Sequence, residues 1–199
     1  MKRASFVVAG VFVAAGSAIA QPPAGQPTTV TAYLNRGYNG LKLNMTEMAT
    51  KMPEADYMFK PGPAPELRVF GQLFGHTANA QFGSCAAALG QPNPNQGKNL
   101  EELKTKAEIV QALADSYALC DKAFAALTEQ NKDEMLAQGQ GQIARSALLA
   151  GVVVHGNEMY GTGAVYMRAK GLVPPSTERQ MQGRGTGAPA GRGTPPPGR

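Results

Sequence analysis

The chain has 199 residues, a formal charge of +5 and no tryptophan. Lys2 and Arg3 sit at its head and Arg179, Arg184, Arg192 and Arg199 near its end, so the stretch between is close to neutral. A neutral middle offers no basic footprint, which excludes a nucleic-acid-binding role.

The opening MKRASFVVAGVFVAAGSAIA joins a short basic end to an apolar run that starts at Phe6. Ala18-Ile19-Ala20 fits a small-x-small cleavage pattern, so residues 1–20 read as a signal peptide with Gln21 as the first mature residue. The run is too short to cross a bilayer comfortably, and no transmembrane segment is expected once it is removed. Export places the mature protein in the periplasm or outside the cell, where disulfides are permitted. Residues 21–29, QPPAGQPTT, read as a flexible lead-in.

Four helices are predicted next. The first runs from about Val30 to Met52, with Leu34, Tyr38, Leu41, Met45, Met48 and Met52 on one stripe. A loop broken by Pro53, Pro61, Pro63 and Pro65 follows. The second helix starts near Pro65-Glu66 and ends near Gly90; its inward seam is Val69, Leu73, His76, Ala80, Gly83 and Ala87. After the loop QPNPNQGKN a third helix begins near Leu100, with Val110, Leu113, Tyr117, Cys120, Phe124 and Leu127 inward. Another loop covers 129–141. The fourth helix begins near Gln142 and runs to Lys170 along Leu148, Val152, His155, Met159, Thr162 and Tyr166. Gly171 and Pro174-Pro175 stop it. No stretch alternates like a strand. The pattern predicts an all-α, up-down antiparallel four-helix bundle over residues 30–175. From Ser176 to Arg199 the chain is dense in Gly and Pro and reads as a disordered tail.

Strict up-down topology has consequences for the two cysteines. Cys85 falls near the end of the second helix, while Cys120 falls roughly 30 Å along the third. A disulfide requires Cα atoms within about 7 Å. Two free, buried thiols are therefore the favoured expectation. A bridge requires the second helix to end near Phe82-Gly83, or the 86–105 segment to fold back along the bundle.

The same reckoning places His76 and His155 both near mid-bundle and both on inward seams. Two imidazoles from different helices can share a site, but transition metals usually take three protein ligands or more. No Ser-His-Asp set, phosphate-cradling glycine loop or dinucleotide fingerprint accompanies them. The nine methionines read as soft core material.

The runs FGHTANAQFGSC around His76 and HGNEMYGTGAVYMRAKGLVPPS from His155 to Ser176 resemble the DinB-like superfamily of metal-dependent hydrolases and thiol transferases, in an exported branch. The resemblance covers roughly residues 30–175 and implies a four-helix bundle. It also implies three histidines from two helices holding a divalent metal, often zinc or nickel. His76 and His155 match two of them. The third stands four residues after His155, where this chain has Met159. Family members often pair their bundles, so the resemblance also carries a homodimer.

Three readings of the site stay open. His76 and His155 hold a metal with Glu158, Met159 or waters completing the shell; Glu158 would be ligand or general base, and Asn79, Asn157 and Tyr160 would form the outer shell. Or the site is degenerate, with Met159 filling the old ligand position and no metal. Or the pocket takes a small organic ligand without a metal. The overall expectation is an exported DinB-like bundle with a degenerate or altered metal site. A metal-dependent hydrolase or thiol transferase is the alternative, and a non-enzymatic ligand- or partner-binding bundle the other.

Overall fold

Thr29 fixes where the first helix starts: its side-chain oxygen accepts from the amide of Ala32 at 3.2 Å. The computed structural model describes residues 28–186. The predicted signal peptide, the lead-in up to Pro27 and the tail beyond Thr186 lie outside the described residues. Helix α1 spans Val30–Lys51 and buries Leu34, Tyr38, Leu41, Met45 and Met48, with Met52 buried just past its end. Pro53 then ends it. Helix α2 spans Phe70–Ala88, later than expected. Helix α3 spans Lys106–Ala125, opened by a reciprocal cap between Thr105 and Glu108. Helix α4 spans Arg145–Ala169 and stops at Gly171, whose φ of 72° lets the chain reverse.

The all-α four-helix bundle expected from the sequence is what the chain forms. Its helices do not strictly alternate. Tyr38 donates to Asp121 at 2.8 Å, and Lys106 at the other end of α3 donates to Met52 O at 2.8 Å, so α1 and α3 are antiparallel. Tyr166 donates to Arg68 O at 2.7 Å while His155 meets His76, so α2 and α4 are antiparallel. By contrast Gln81 accepts from Ser116 at 2.7 Å and Cys85 is bonded to Cys120, four residues further along both helices; α2 and α3 run parallel. Helices α1 and α4 are parallel as well, with Leu41 against Gly156 and Met48 against Gly163. The order is up, down, down, up.

The connection between α2 and α3 makes this possible. It runs back beside α2 instead of turning directly into the next helix. Its short 3-10 turn, Leu100–Glu102, lies against Gly75, where an added Cβ would fall 2.3 Å from Leu100 O and 2.9 Å from Glu101 N. Asn79 fastens it, accepting from Leu100 N at 3.2 Å and from Asn95 Nδ2 at 3.1 Å. The third helix therefore starts at Lys106, near the beginning of α2. Cys120 comes level with Cys85, and their Cα atoms are 5.1 Å apart in a fully buried disulfide. The expectation of two free thiols is overturned because it assumed a direct turn at residues 90–99. The fold-back that a bridge requires is the one the chain makes.

Gly75 is thus a backbone-to-backbone contact that no side chain fits. Gly75→Ala should lower stability by about 2–3 kcal/mol, since the obstacle is main chain rather than a flexible side chain. Thermal unfolding checks it: a melting point within a degree of wild type would mean that the loop can step aside.

Three further details differ from the sequence reading. The 129–141 loop is in part a hairpin, β1 Met135–Gln138 against β2 Gly141–Ala144, turning at Gly139 with φ 56°. Four-residue strands are too short for alternation to stand out. The residues after Pro174 form a helix, α5 Pro175–Thr186, started by a proline at its first position. It lies against the end of α1, where Arg179 pairs with Glu47 and Glu178 with Lys51 at 2.7 Å. The expected boundary of the tail at Ser176 is therefore too early. Finally, the seam through His76, Ala80, Gly83 and Ala87 is only half-buried. The core stripe of α2 is Phe70, Phe74, Gln81, Cys85 and Ala88. Among the described residues no helix is long and apolar enough to cross a membrane.

Candidate functional site in the cleft between α2 and α4

The half-buried stripe of α2 faces a cleft. The small residues Ala80 and Ser84 on this side of α2 leave the space beside them unfilled. The result is a hollow of about 320 Å³, walled on the α4 side by Leu148 and Val152 and roofed by Ile143 and Gln138 of the hairpin. Arg145 holds the roof down, donating to Ala88 O at the end of α2 and pairing with Glu134 at 2.6 Å.

His76 and His155 stand together at one end of this hollow, with ring centroids 4.9 Å apart and ring planes at 63°. His76 is oriented from behind. Its Nδ1 lies 2.7 Å from Glu101 Oε1, and Glu101 accepts from Arg68 Nε at 2.8 Å. Burial alone would raise the Glu101 carboxyl, but the hydrogen bonds from Arg68 and His76 outweigh it and hold its pKa below the ordinary value. The carboxylate is thus an acceptor, so Nδ1 of His76 carries the proton. Nε2 is left as the nitrogen available to a ligand.

His155 has a different environment. Burial disfavours its charged form and the adjacent His76 adds to that; Glu158 opposes the effect and Arg68 reinforces it, for a net lowering of the pKa. The unfolded chain then binds a proton at His155 more readily than the fold does. The associated stability is present above the ordinary histidine value of about 6.5 and is lost as pH falls from there toward the lower folded value. His155→Gln should therefore flatten the pH dependence of unfolding between about pH 7 and 5. Urea titrations at both ends check it; parallel curves for variant and wild type would show that the ring is not shielded. The Glu101 contribution is lost at lower pH, from the ordinary carboxylate value of about 4.3 down toward the lower folded one.

The other residues singled out from the sequence lie elsewhere. Met159 is buried in the core, 7% exposed. Glu158 is exposed on α4 and reaches His155 only through its charge. Asn157 is exposed and caps Val153 O at 2.8 Å. Tyr160 is engaged with Ser176, accepting from its amide at 2.9 Å. Asn79 does bear on the site, but indirectly: it holds the returning loop at Leu100, next to Glu101. Glu101 and Arg68 were not legible as site residues. Glu101 belongs to a connection whose path no periodicity reports, and the only hint was a glycine directly before a polar residue, Gly75-His76, on a helix.

The donor set can be tested against a metal. Two imidazoles converge, but Glu101 bonds to one of them rather than standing beside both. Among the described residues no group of three or more His, Cys, Asp or Glu is placed to hold a metal ion. A catalytic zinc keeps three protein ligands, so the residues present fall one short of the group that the resemblance implies.

These features define an all-α bundle of mixed helix direction with a histidine pair in an inter-helix cleft. A sequence model of the DinB superfamily matches residues 43–162. A DinB-like protein from Bacillus cereus ATCC 10987, solved by crystallography, superposes with a TM-score of 0.60 at 15% sequence identity. The match covers 71% of this chain and 93% of that one. No curated protein matches the chain. The chain belongs to the DinB superfamily.

Proposed function

We propose that this is an exported DinB-like protein whose altered site binds a small organic molecule without a resident metal. The observation that carries the reading is the engagement of His76 Nδ1 by Glu101 at 2.7 Å, which turns a single basic nitrogen toward a cleft of ligand-binding size. In this reading His76 accepts a hydrogen bond or proton from the ligand. His155, kept neutral by its surroundings, forms the adjoining wall. Met159, where the resemblance implies the third histidine, packs as apolar bulk in the core. Export is supported by the leader-like residues 1–20 and by the buried disulfide, a bond that persists in oxidising compartments.

Two measurements on the purified mature protein test this. Metal content is determined after incubation with zinc, nickel or copper and desalting; one stoichiometric equivalent of any of them would sink the metal-free reading in favour of a hydrolase or thiol transferase. A mixed fragment set of acids, amines, amides and alcohols is then screened by NMR on the His76 and His155 ring resonances. Fragments that move both rings are expected. None moving them would remove the cleft as a binding site.

A further inference from the structure

We infer that the ligand of the cleft is an uncharged molecule with a flat apolar body and one hydroxyl, of the phenol class, whose hydroxyl donates to Nε2 of His76. The inference rests on the binding reading above and narrows it. The first ground is charge. Among the described residues no Asp, Glu, Lys or Arg lines the cleft. Of the strong charges near the pair, Arg68 and Glu101 lie behind His76 and neutralise each other in an ion pair at 2.8 Å, and Glu158 is exposed on α4. A carboxylate, phosphate or ammonium entering the cleft would lose hydration with no opposite charge to meet it, which is costly.

The second ground is the polarity of the groups that remain. With Nδ1–H given to Glu101, the Nε2 of His76 is, in the neutral imidazole, an acceptor that calls for a donor. A hydroxyl supplies one; an ether, ketone or hydrocarbon does not. The other polar groups on the wall are His155, Ser84, Gln81 and Gln138, none of them a carboxylate, ammonium or guanidinium. Gln81 is turned toward α3, where its Oε1 accepts from Ser116.

The third ground is shape. Leu148, Val152 and Ile143 present aliphatic surface on two sides of the hollow, and small residues of α2 form the floor. A hollow of about 320 Å³ is at the lower end of small-molecule sites, which suits one ring with short substituents.

The test compares three probes of one shape by titration calorimetry near pH 7.5 with the full mature protein: 4-methylphenol, toluene and 4-methylbenzoate. The phenol is expected to bind saturably, and about tenfold more tightly than toluene, the increment of one net hydrogen bond. The benzoate is expected to bind more weakly than the phenol. His76→Ala, whose side chain is partly exposed and not part of the core, should erase the difference between phenol and toluene. Equal binding of phenol and toluene, tightest binding by the benzoate, or an unchanged preference in the variant overturns the inference. So does saturation by none of the three. The binding reading falls separately, only if the wider fragment set also leaves both histidine rings unmoved.

Discussion

Replacing Cys85 and Cys120 together by alanine is expected to lower stability by about 3–4 kcal/mol. The bridge joins residues 35 apart, and closing a loop of that length removes about this much free energy from the unfolded chain in the entropic account. For a domain of this size the melting point should drop by about 10 °C. The loss is not offset by better packing, because both sulfurs are fully buried between α2 and α3 and alanine leaves part of their space empty. Calorimetry of the double variant against the oxidised protein measures it. A shift of less than about 3 °C, near 1 kcal/mol, would mean that the parallel pairing of α2 and α3 is held by its apolar contacts alone. The free-thiol count of the unfolded, unreduced protein should be zero.

Met159→His should produce the opposite kind of change, a gain of binding. It puts an imidazole one helical turn beyond His155. Apparent zinc binding of about 10–16 kcal/mol shared over four ligands is about 3 kcal/mol for each, so a third protein ligand should raise zinc affinity on the order of a hundredfold. Because Met159 is buried, the metal-free variant should be less stable than wild type by about 1–3 kcal/mol, and zinc should restore the loss. Titration calorimetry and thermal melts with and without zinc decide the matter. If the affinity does not change, residue 159 points away from the His76–His155 pair, and its identity has no bearing on metal retention.

The two predictions draw on features of unequal legibility in the sequence. Apolar residues at helical spacing report burial directly. Leu34 through Met52, Leu113 through Leu127, and Leu148, Val152, Met159 and Tyr166 all lie in the core as their spacing indicates. The convergence of His76 and His155 followed from placing both at mid-bundle, and they do meet. The direction of α3 was not legible, because it depends on where the chain goes between Leu89 and Thr105. Nothing in a Pro- and Asn-rich stretch reports whether it turns at once or travels back along its neighbour. The cysteine argument failed on that single assumption, and Glu101 was missed for the same reason. Of the small residues of α2, Gly75 admits a close backbone neighbour, the returning loop, while Ala80 and Ser84 border open space. A stripe of small residues marks room near a backbone without saying what occupies it.

The parallel course of α1 and α4 has a practical consequence for handling the protein. Because the first helix and the last long one point the same way, the chain enters the bundle at one end and α5 docks at the other, beside Glu47 and Lys51. The 22 residues of α1 separate those ends by roughly 33 Å. A linker from the start of α1 to the docking site of α5 would therefore have to span most of that length.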